Sequence, residues 1–184
     1  MTQQSTAAVS IVIPGRDASR TVESCLGALL PYLQKGQVKE ILFVDDGSKD
    51  CTAELVSRFP VRLVTGGGAG PGAARNLGIE EADSPLIWFV DSDCVAEPGA
   101  LEFLIPHLED QGVAAVSGSY GNMDPGSLLS TLIHEEIVER HLSMPSRVDF
   151  LATFNVIYRR SVLIEVGCFN ERFITAEDAD LSWR

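Results

Sequence analysis

The chain has 184 residues, 45% of them apolar, with 14 basic and 26 acidic side chains and a formal net charge of -12. A chain of this length forms one domain with a sizeable buried core, and its acidic balance argues against sequence-independent nucleic-acid binding and against docking on anionic lipid. Cys25, Cys51, Cys94 and Cys168 have neither the paired spacing of a zinc site nor the density of a disulfide scaffold, so reduced thiols in a cytosolic protein are expected.

The opening MTQQSTAAVS lacks a basic region followed by an apolar run and does not read as a secretory signal. No stretch of about 18 uninterrupted apolar residues is present to span a bilayer. Val9 to Pro14 is a β-branched run stopped by proline and predicts a buried strand with a turn at Gly15. Val22, Leu26, Leu29, Leu30 and Leu33 then share one helix face, with Ser19 or Thr21 available to cap it. Ile41 to Val44 predicts a second buried strand that runs into Asp45 and Asp46, with Gly47 and Ser48 turning the chain. Asp50 or Thr52 can cap a short helix carrying Leu55, Val56 and Phe59.

Val61 to Thr65 predicts a third strand, followed by a loop rich in glycine from Gly66 to Gly72 and a helix from about Ala73. Leu86 to Cys94, LIWFVDSDC, predicts a central buried strand opening onto a polar crevice. In an extended chain Asp91 and Asp93 project to the same side, an Asp-x-Asp pair suited to a divalent cation, while the plainer reading is a strand followed by an acidic turn. Pro98 fits the first position of a helix through Leu101, Leu104, Ile105 and Leu108, and Val113 to Ser119 reads as a strand. Leu128, Leu129, Leu132, Ile133, Ile137 and Val138 predict an amphipathic helix ending near Leu142. Phe154 to Tyr158 predicts a strand, Ser161 a cap for a short helix ending at Gly167, and the segment carrying Glu177, Asp178 and Asp180 a terminal helix.

Strands alternating with helices predict an α/β fold with a parallel or mostly parallel sheet, helices on both faces, and ligands at the carboxyl ends of the strands. Two of those ends are doubly acidic. They read as the ends of two adjacent strands, whose four carboxylates repel unless solvent screens them or a cation lies between them, and Mg2+ or Mn2+ with a nucleotide diphosphate meets that demand. Gly70 to Gly78, GPGAARNLG, supplies a helix start whose free amides suit phosphate, although it matches neither a P-loop nor a dinucleotide fingerprint. Arg75 within it can pair with phosphate or hold the acidic turns in place. His107, His134 and His141 are expected as surface or helix-packing residues, Trp88 and Trp183 as packing residues, and Arg159 and Arg160 as solvated or ion-paired.

Taken together, VSIVIPGRD, EILFVDDGSKDCT, GPGAARNLGI, LIWFVDSDC and FNVIYRRSVLIEVGCFNERFITAEDADLSWR resemble, in order and over almost the whole chain, the motifs of family 2 glycosyltransferases. The resemblance implies a GT-A, Rossmann-like fold in a single domain over 1–184, truncated at its C-terminus. Any membrane association would then come through residues beyond Arg184. It further implies inverting transfer of a sugar from a nucleotide-diphospho-sugar donor to a hydroxyl of a glycan, lipid or small-molecule acceptor, with Mn2+ or Mg2+. Carried onto this chain, Pro14 and Gly15 border the base, Asp45 and Asp46 hold the base and ribose, and Arg75 supports the nucleotide. Asp91 faces the ribose or metal, Asp93 is the principal metal ligand, Glu177 lies on the substrate and Asp178 is the catalytic base. The chain departs from the family pattern in having Pro14-Gly15-Arg16-Asp17 after the first strand, with a cation where an aromatic is usual. A nucleotide-sugar-binding module without turnover is the alternative. A receiver-like phosphoacceptor domain would need a lysine after the last strand, and none is suitably placed.

Overall fold

A computed structural model describes residues 8–184; the N-terminal segment read for a secretory signal lies, over 1–7, outside the described residues. The elements in chain order are β1 (Val9–Gly15), α1 (Val22–Gln34), β2 (Glu40–Asp45), α2 (Thr52–Val56), β3 (Arg62–Thr65), α3 (Pro71–Glu81) and β4 (Leu86–Val90). Then come α4 (Ala100–Leu104), a 3-10 turn over Ile105–Glu109, β5 (Ala115–Ser117), α5 (Leu128–Ser143), β6 (Asn155–Arg159), α6 (Arg160–Glu165) and α7 (Glu177–Trp183).

The strands form one sheet in the order β3-β2-β1-β4-β6-β5. β1 to β4 are mutually parallel, and β6 runs antiparallel to both β4 and β5, so the sheet is mostly parallel as expected. Side chains alternate between its faces. Ile11, Ile13, Phe43, Trp88, Val90 and Ile157 pack under α1, α2 and α4, while Val12, Leu42, Val44, Ile87, Phe89 and Val156 pack under α3, α6 and α7. Apolar residues on both sides of each central strand account for the uninterrupted β-branched runs in the sequence.

From β1 the chain steps outward to β2 and β3, then crosses back through α3 to β4 on the other side of β1. The direction of winding reverses between β1 and β4, which opens a crevice beyond their carboxyl ends. Gly15 and Asp91 lie at those ends. β6, running the opposite way, brings its first residues to the same rim, where the Asp91 amide donates to the Phe154 carbonyl at 3.2 Å.

Several local details differ from expectation. Neither Ser19 nor Thr21 caps α1 with its side chain; Thr21 Oγ1 donates to the Ala18 carbonyl, and the Ser19 amide is held by Asp50 Oδ2. Asp50 does serve α2, accepting from the Thr52 amide at 3.0 Å. Pro98 stands outside α4, because Gly99 turns left-handed at φ 87 before the helix begins. α6 starts at Arg160, which puts Ser161 inside the helix rather than at its cap.

The largest difference is α5. It forms where the periodicity places it, but Leu128, Leu129, Leu132 and Ile133 are exposed and none of its residues is fully buried. Its less exposed face carries Ser130, Thr131, His134 and His141 along with Ile137 and Val138. Polar contacts orient it: Ser130 Oγ donates to Asn122 Oδ1 at 2.8 Å, and a 2.6 Å hydrogen bond joins Ser119 Oγ to His141 Nδ1.

Two glycines test the packing in opposite directions. A Cβ at Gly78 of α3 would lie 2.2 Å from Val12 Cγ1 on β1, whereas one at Gly27 of α1 meets nothing within 4 Å. Each helix position gains about 0.5–1 kcal/mol of helix propensity on changing to alanine. At Gly78 an overpacking cost of about 1–3 kcal/mol outweighs that gain. In urea titrations Gly27→Ala should therefore raise the midpoint and Gly78→Ala should lower it, both at unchanged slope; a rise for both would contradict the α3–β1 packing.

Candidate active site

The site is built around one buried cation. α3 begins at Pro71 after Gly70, which has φ 106, and Arg75 on its second turn is 4% exposed. Its guanidinium donates to Glu177 Oε1 at 2.6 Å and to Asp91 Oδ1 at 2.8 Å, and its carbon lies 5.7 Å from the centroid of the Phe169 ring. Arg75 therefore ties the end of β4 to the start of α7, and of its two sequence-level roles the structure shows the one that holds acidic segments in place. Arg75 Nε is buried without a partner among the described residues. Burial raises the Asp91 pKa, an effect that the Arg75 guanidinium opposes.

β4 ends at Val90, and the Cys94 amide donates to the Asp91 carbonyl at 3.0 Å, so Asp91 to Cys94 is a turn. Asp91 and Asp93 therefore do not project to one side as they would from extended chain. Asp91 points back to Arg75. Asp93 is exposed, and its contact in the turn is a 3.8 Å approach from Cys94 Sγ. The Cys94 thiol is pushed up to about 12 by burial and by Asp93 and Asp91.

No cluster of three or more His, Cys, Asp or Glu side chains fit for a metal is assembled among the described residues. Two carboxylates at a strand end nonetheless match what Mg2+ or Mn2+ takes from a protein when phosphate oxygens and water complete the shell. The donor set therefore fits such an ion.

Asp45 and Asp46 are also corrected in their relation to this turn. β1 separates β2 from β4, so the two acidic ends are not on adjacent strands. Mutual repulsion between them thus requires no bridging cation. Both acids are buried and occupied locally: Asp45 Oδ1 accepts from the Ser48 amide at 3.1 Å and its hydroxyl at 2.5 Å, and Asp46 accepts from the amides of Ala69 and Gly70 at 3.0 and 2.8 Å. Asp46 thereby fixes the glycine-rich loop that starts α3. Pro14 and Gly15 close β1, and a Cβ at Gly15 would lie 2.3 Å from Phe43 Cζ, so glycine is required there by packing.

Beyond β4 lies a cleft of about 350 Å3 whose lining includes Arg75, Asp91, Glu177 and Asp178 together with Pro71, Tyr120, Thr153 and Phe154. Four of the sequence-predicted site residues thus meet in one cleft. Pro14, Gly15, Asp45, Asp46 and Asp93 lie outside its lining. Glu177 is 8% exposed and held by Arg75, while Asp178 is half-buried. Before them Ala176 has φ 63, a left-handed conformation that costs a non-glycine residue roughly 1–2 kcal/mol and sets the direction in which the pair enters the cleft.

Sequence reasoning missed Tyr120. Its ring stacks on Phe154 with centroids 3.6 Å apart and planes 13° from parallel, and lies parallel to His141 at 6.4 Å. Burial, reinforced by Cys94, Asp91, Asp178 and Asp93, pushes its phenol up to about 12. Its place directly after the strand read over Val113 to Ser119 was the one available signal. Trp183, expected to pack, is 77% exposed.

Among curated proteins, glycosyltransferase AglE of Haloferax volcanii is 27% identical over 177 residues, covering 92% of this chain and 58% of AglE. Poly-beta-1,6-N-acetyl-D-glucosamine synthase of Staphylococcus aureus is 24% identical over 188 residues, covering 96% of this chain and 45% of the synthase. The chain spans about half the length of these curated relatives.

Among solved structures, the mannosyltransferase PcManGT from Pyrobaculum calidifontis, in complex with GDP-Man and Mn2+, superposes with TM-score 0.73 at 20% identity, over 95% of this chain and 50% of that one. Staphylococcus aureus TarS gives 0.68 at 18% identity, over 95% and 32%. Glucosyl-3-phosphoglycerate synthase from Mycobacterium tuberculosis gives 0.62 at 22% identity, over 84% and 57%. At these identities the structures show the fold, which is GT-A. The family model for glycosyl transferase family 2 matches residues 10–167, and the chain belongs to that family.

Proposed function

We propose that this chain carries the donor side and the general base of an inverting, metal-dependent glycosyltransferase acting on a nucleotide-diphospho-sugar. The observation that carries this reading is the Arg75 clamp, which holds the Asp91 turn and the Glu177-Asp178 pair at one cleft. The mannosyltransferase bound to GDP-Man and Mn2+ and the synthase bound to Mn2+ and UDP have the same fold and support the choice of donor and ion.

Asp93 and the Asp91 oxygen that Arg75 leaves free would hold a divalent cation, Mn2+ or Mg2+, which when bound supplies positive charge against the departing diphosphate. Pro14, Gly15, Asp45 and Asp46 lie at the ends of β1 and β2, on the side of the crevice where the nucleoside would sit. The carboxylates of Asp45 and Asp46 shape its floor by fixing the loops that follow them. Asp178 faces the cleft as the base. An acceptor hydroxyl is a poor nucleophile at neutral pH, so Asp178 takes its proton while the oxygen bonds to the anomeric carbon and the bond to the diphosphate oxygen breaks. A single displacement of this kind inverts the anomeric centre. Glu177 acts through Arg75, as a positioning residue for Asp178. The acceptor is a glycan, a lipid or a small molecule carrying a free hydroxyl.

Calorimetric titration of the chain with UDP and GDP, with and without Mn2+, tests the donor side. Asp93→Asn should weaken metal-dependent nucleotide binding by about tenfold or more, the scale set by perturbing a metal's ligand environment. Asp178→Asn should leave binding nearly intact while transfer falls by about 10²–10⁴. Equal loss of binding in both variants would contradict the assigned roles, and wild-type binding without turnover would make the chain a nucleotide-sugar-binding module.

The clamp is tested by stability. Arg75→Met leaves the Asp91 and Glu177 carboxylates without their cation and should cost about 3–5 kcal/mol in denaturant titrations. Arg75→Lys keeps the charge but offers no planar fork to span both acids, and should cost about 1–3 kcal/mol. A lysine variant as stable as the parent would show that the two-sided contact contributes little.

A further inference from the structure

We infer that Tyr120 forms part of the subsite for the transferred sugar, its hydroxyl donating to a sugar oxygen and its ring walling the cleft between the Asp91 turn and Asp178. The inference rests on the glycosyl-transfer reading above and extends it to a residue that the sequence motifs do not mark.

The ring is held from several directions. Its face stacks on Phe154 with centroids 3.6 Å apart. Phe154 is itself fixed to the end of β4, since its carbonyl accepts from the Asp91 amide at 3.2 Å. His141 lies parallel to the ring at 6.4 Å and is anchored to Ser119, the preceding residue, by a 2.6 Å hydrogen bond. Tyr120 thus enters the cleft as a prepositioned aromatic, losing little side-chain entropy when a ligand arrives.

The ring is not spent on packing alone. Tyr120 is 40% exposed and lines the cleft together with Asp91 and Asp178, so part of the phenol faces that space. Its hydroxyl can donate as well as accept, whereas ionised carboxylates only accept. A phenol donor in a cleft lined by carboxylates suits a neutral ligand dense in hydroxyl and ring oxygens, as a hexose is. Its position between the turn that would hold the diphosphate end and the base that would activate the acceptor is where the transferred sugar has to lie.

The experiment compares each nucleotide sugar with its own nucleoside diphosphate. The wild-type chain and Tyr120→Phe are titrated with UDP, UDP-glucose, UDP-N-acetylglucosamine, GDP and GDP-mannose in the presence of Mn2+. Phenylalanine keeps the stack on Phe154 and removes one hydroxyl. The expected result is unchanged affinity for the diphosphates and a loss of about 3- to 10-fold for the nucleotide sugar that binds, the value of one hydrogen bond. Unchanged affinity for both classes would overturn the subsite, and so would an equal loss for both, which would mark a general disturbance of the cleft. If the wild-type chain bound none of the five ligands, the glycosyl-transfer reading would fall and the subsite with it. Normal wild-type binding with an unchanged sugar-to-diphosphate ratio in Tyr120→Phe would remove the subsite alone.

Discussion

The buried guanidinium of Arg75 is shared by two carboxylates that lie 16 and 102 positions away in sequence. Moving the guanidinium and the Glu177 carboxylate out of water costs several kcal/mol each, whereas Asp91 keeps 33% of its side chain in solvent, and mutual attraction offsets that cost only in good geometry. Its planar fork satisfies both acids at 2.8 Å or less, and the Phe169 ring lies near its carbon. Loss of either acid leaves the buried guanidinium with one carboxylate in place of two. The end of β4 and the start of α7 are thereby held together, although the segment between them contains α5, which is hardly buried at all.

This constraint acts at the rim that the sheet topology provides. The reversal between β1 and β4 opens the crevice, and the antiparallel β6 adds a second reason for chain to converge there, since its start lies beside the end of β4. An all-parallel sheet would carry that neighbour's first residue to the opposite rim. Phe154 and Thr153 reach the cleft because β6 runs backwards, and Tyr120 follows because β5, parallel to β4, ends at the same edge.

Much of this was legible in the sequence, for identifiable reasons. Buried strands announce themselves as apolar runs, and the change from Val90 to Asp91 or from Val44 to Asp45 marks where burial stops. The order of the motifs then placed Arg75, Asp91, Glu177 and Asp178 in one site. Strand order is a different matter. Nothing in a strand's own residues states its neighbour, so the acids of β2 and β4 could be taken as adjacent when β1 lies between them. At Asp91 to Cys94 the plainer of the two readings, an acidic turn after the strand, is the one the chain adopts, because two-residue alternation applies only while chain stays extended and β4 stops at Val90. The pairing of Glu177 with Arg75 is a tertiary contact that no local pattern encodes.

The orientation of α5 shows the limit of periodicity most directly. An apolar stripe predicts that a helix exists and which residues share a face, but the direction of that face depends on what stands opposite. Here the less exposed side is fastened by Ser130 to Asn122 and by His141 to Ser119, contacts typically worth about 1 kcal/mol each. The leucines that would contribute more if buried remain in solvent. α5 is therefore held to the domain less firmly than α1 or α3, each of which buries several residues against the sheet. Tyr120 lies parallel to His141 of this helix and stacks on the buried Phe154, so the phenol ring links α5 to the cleft.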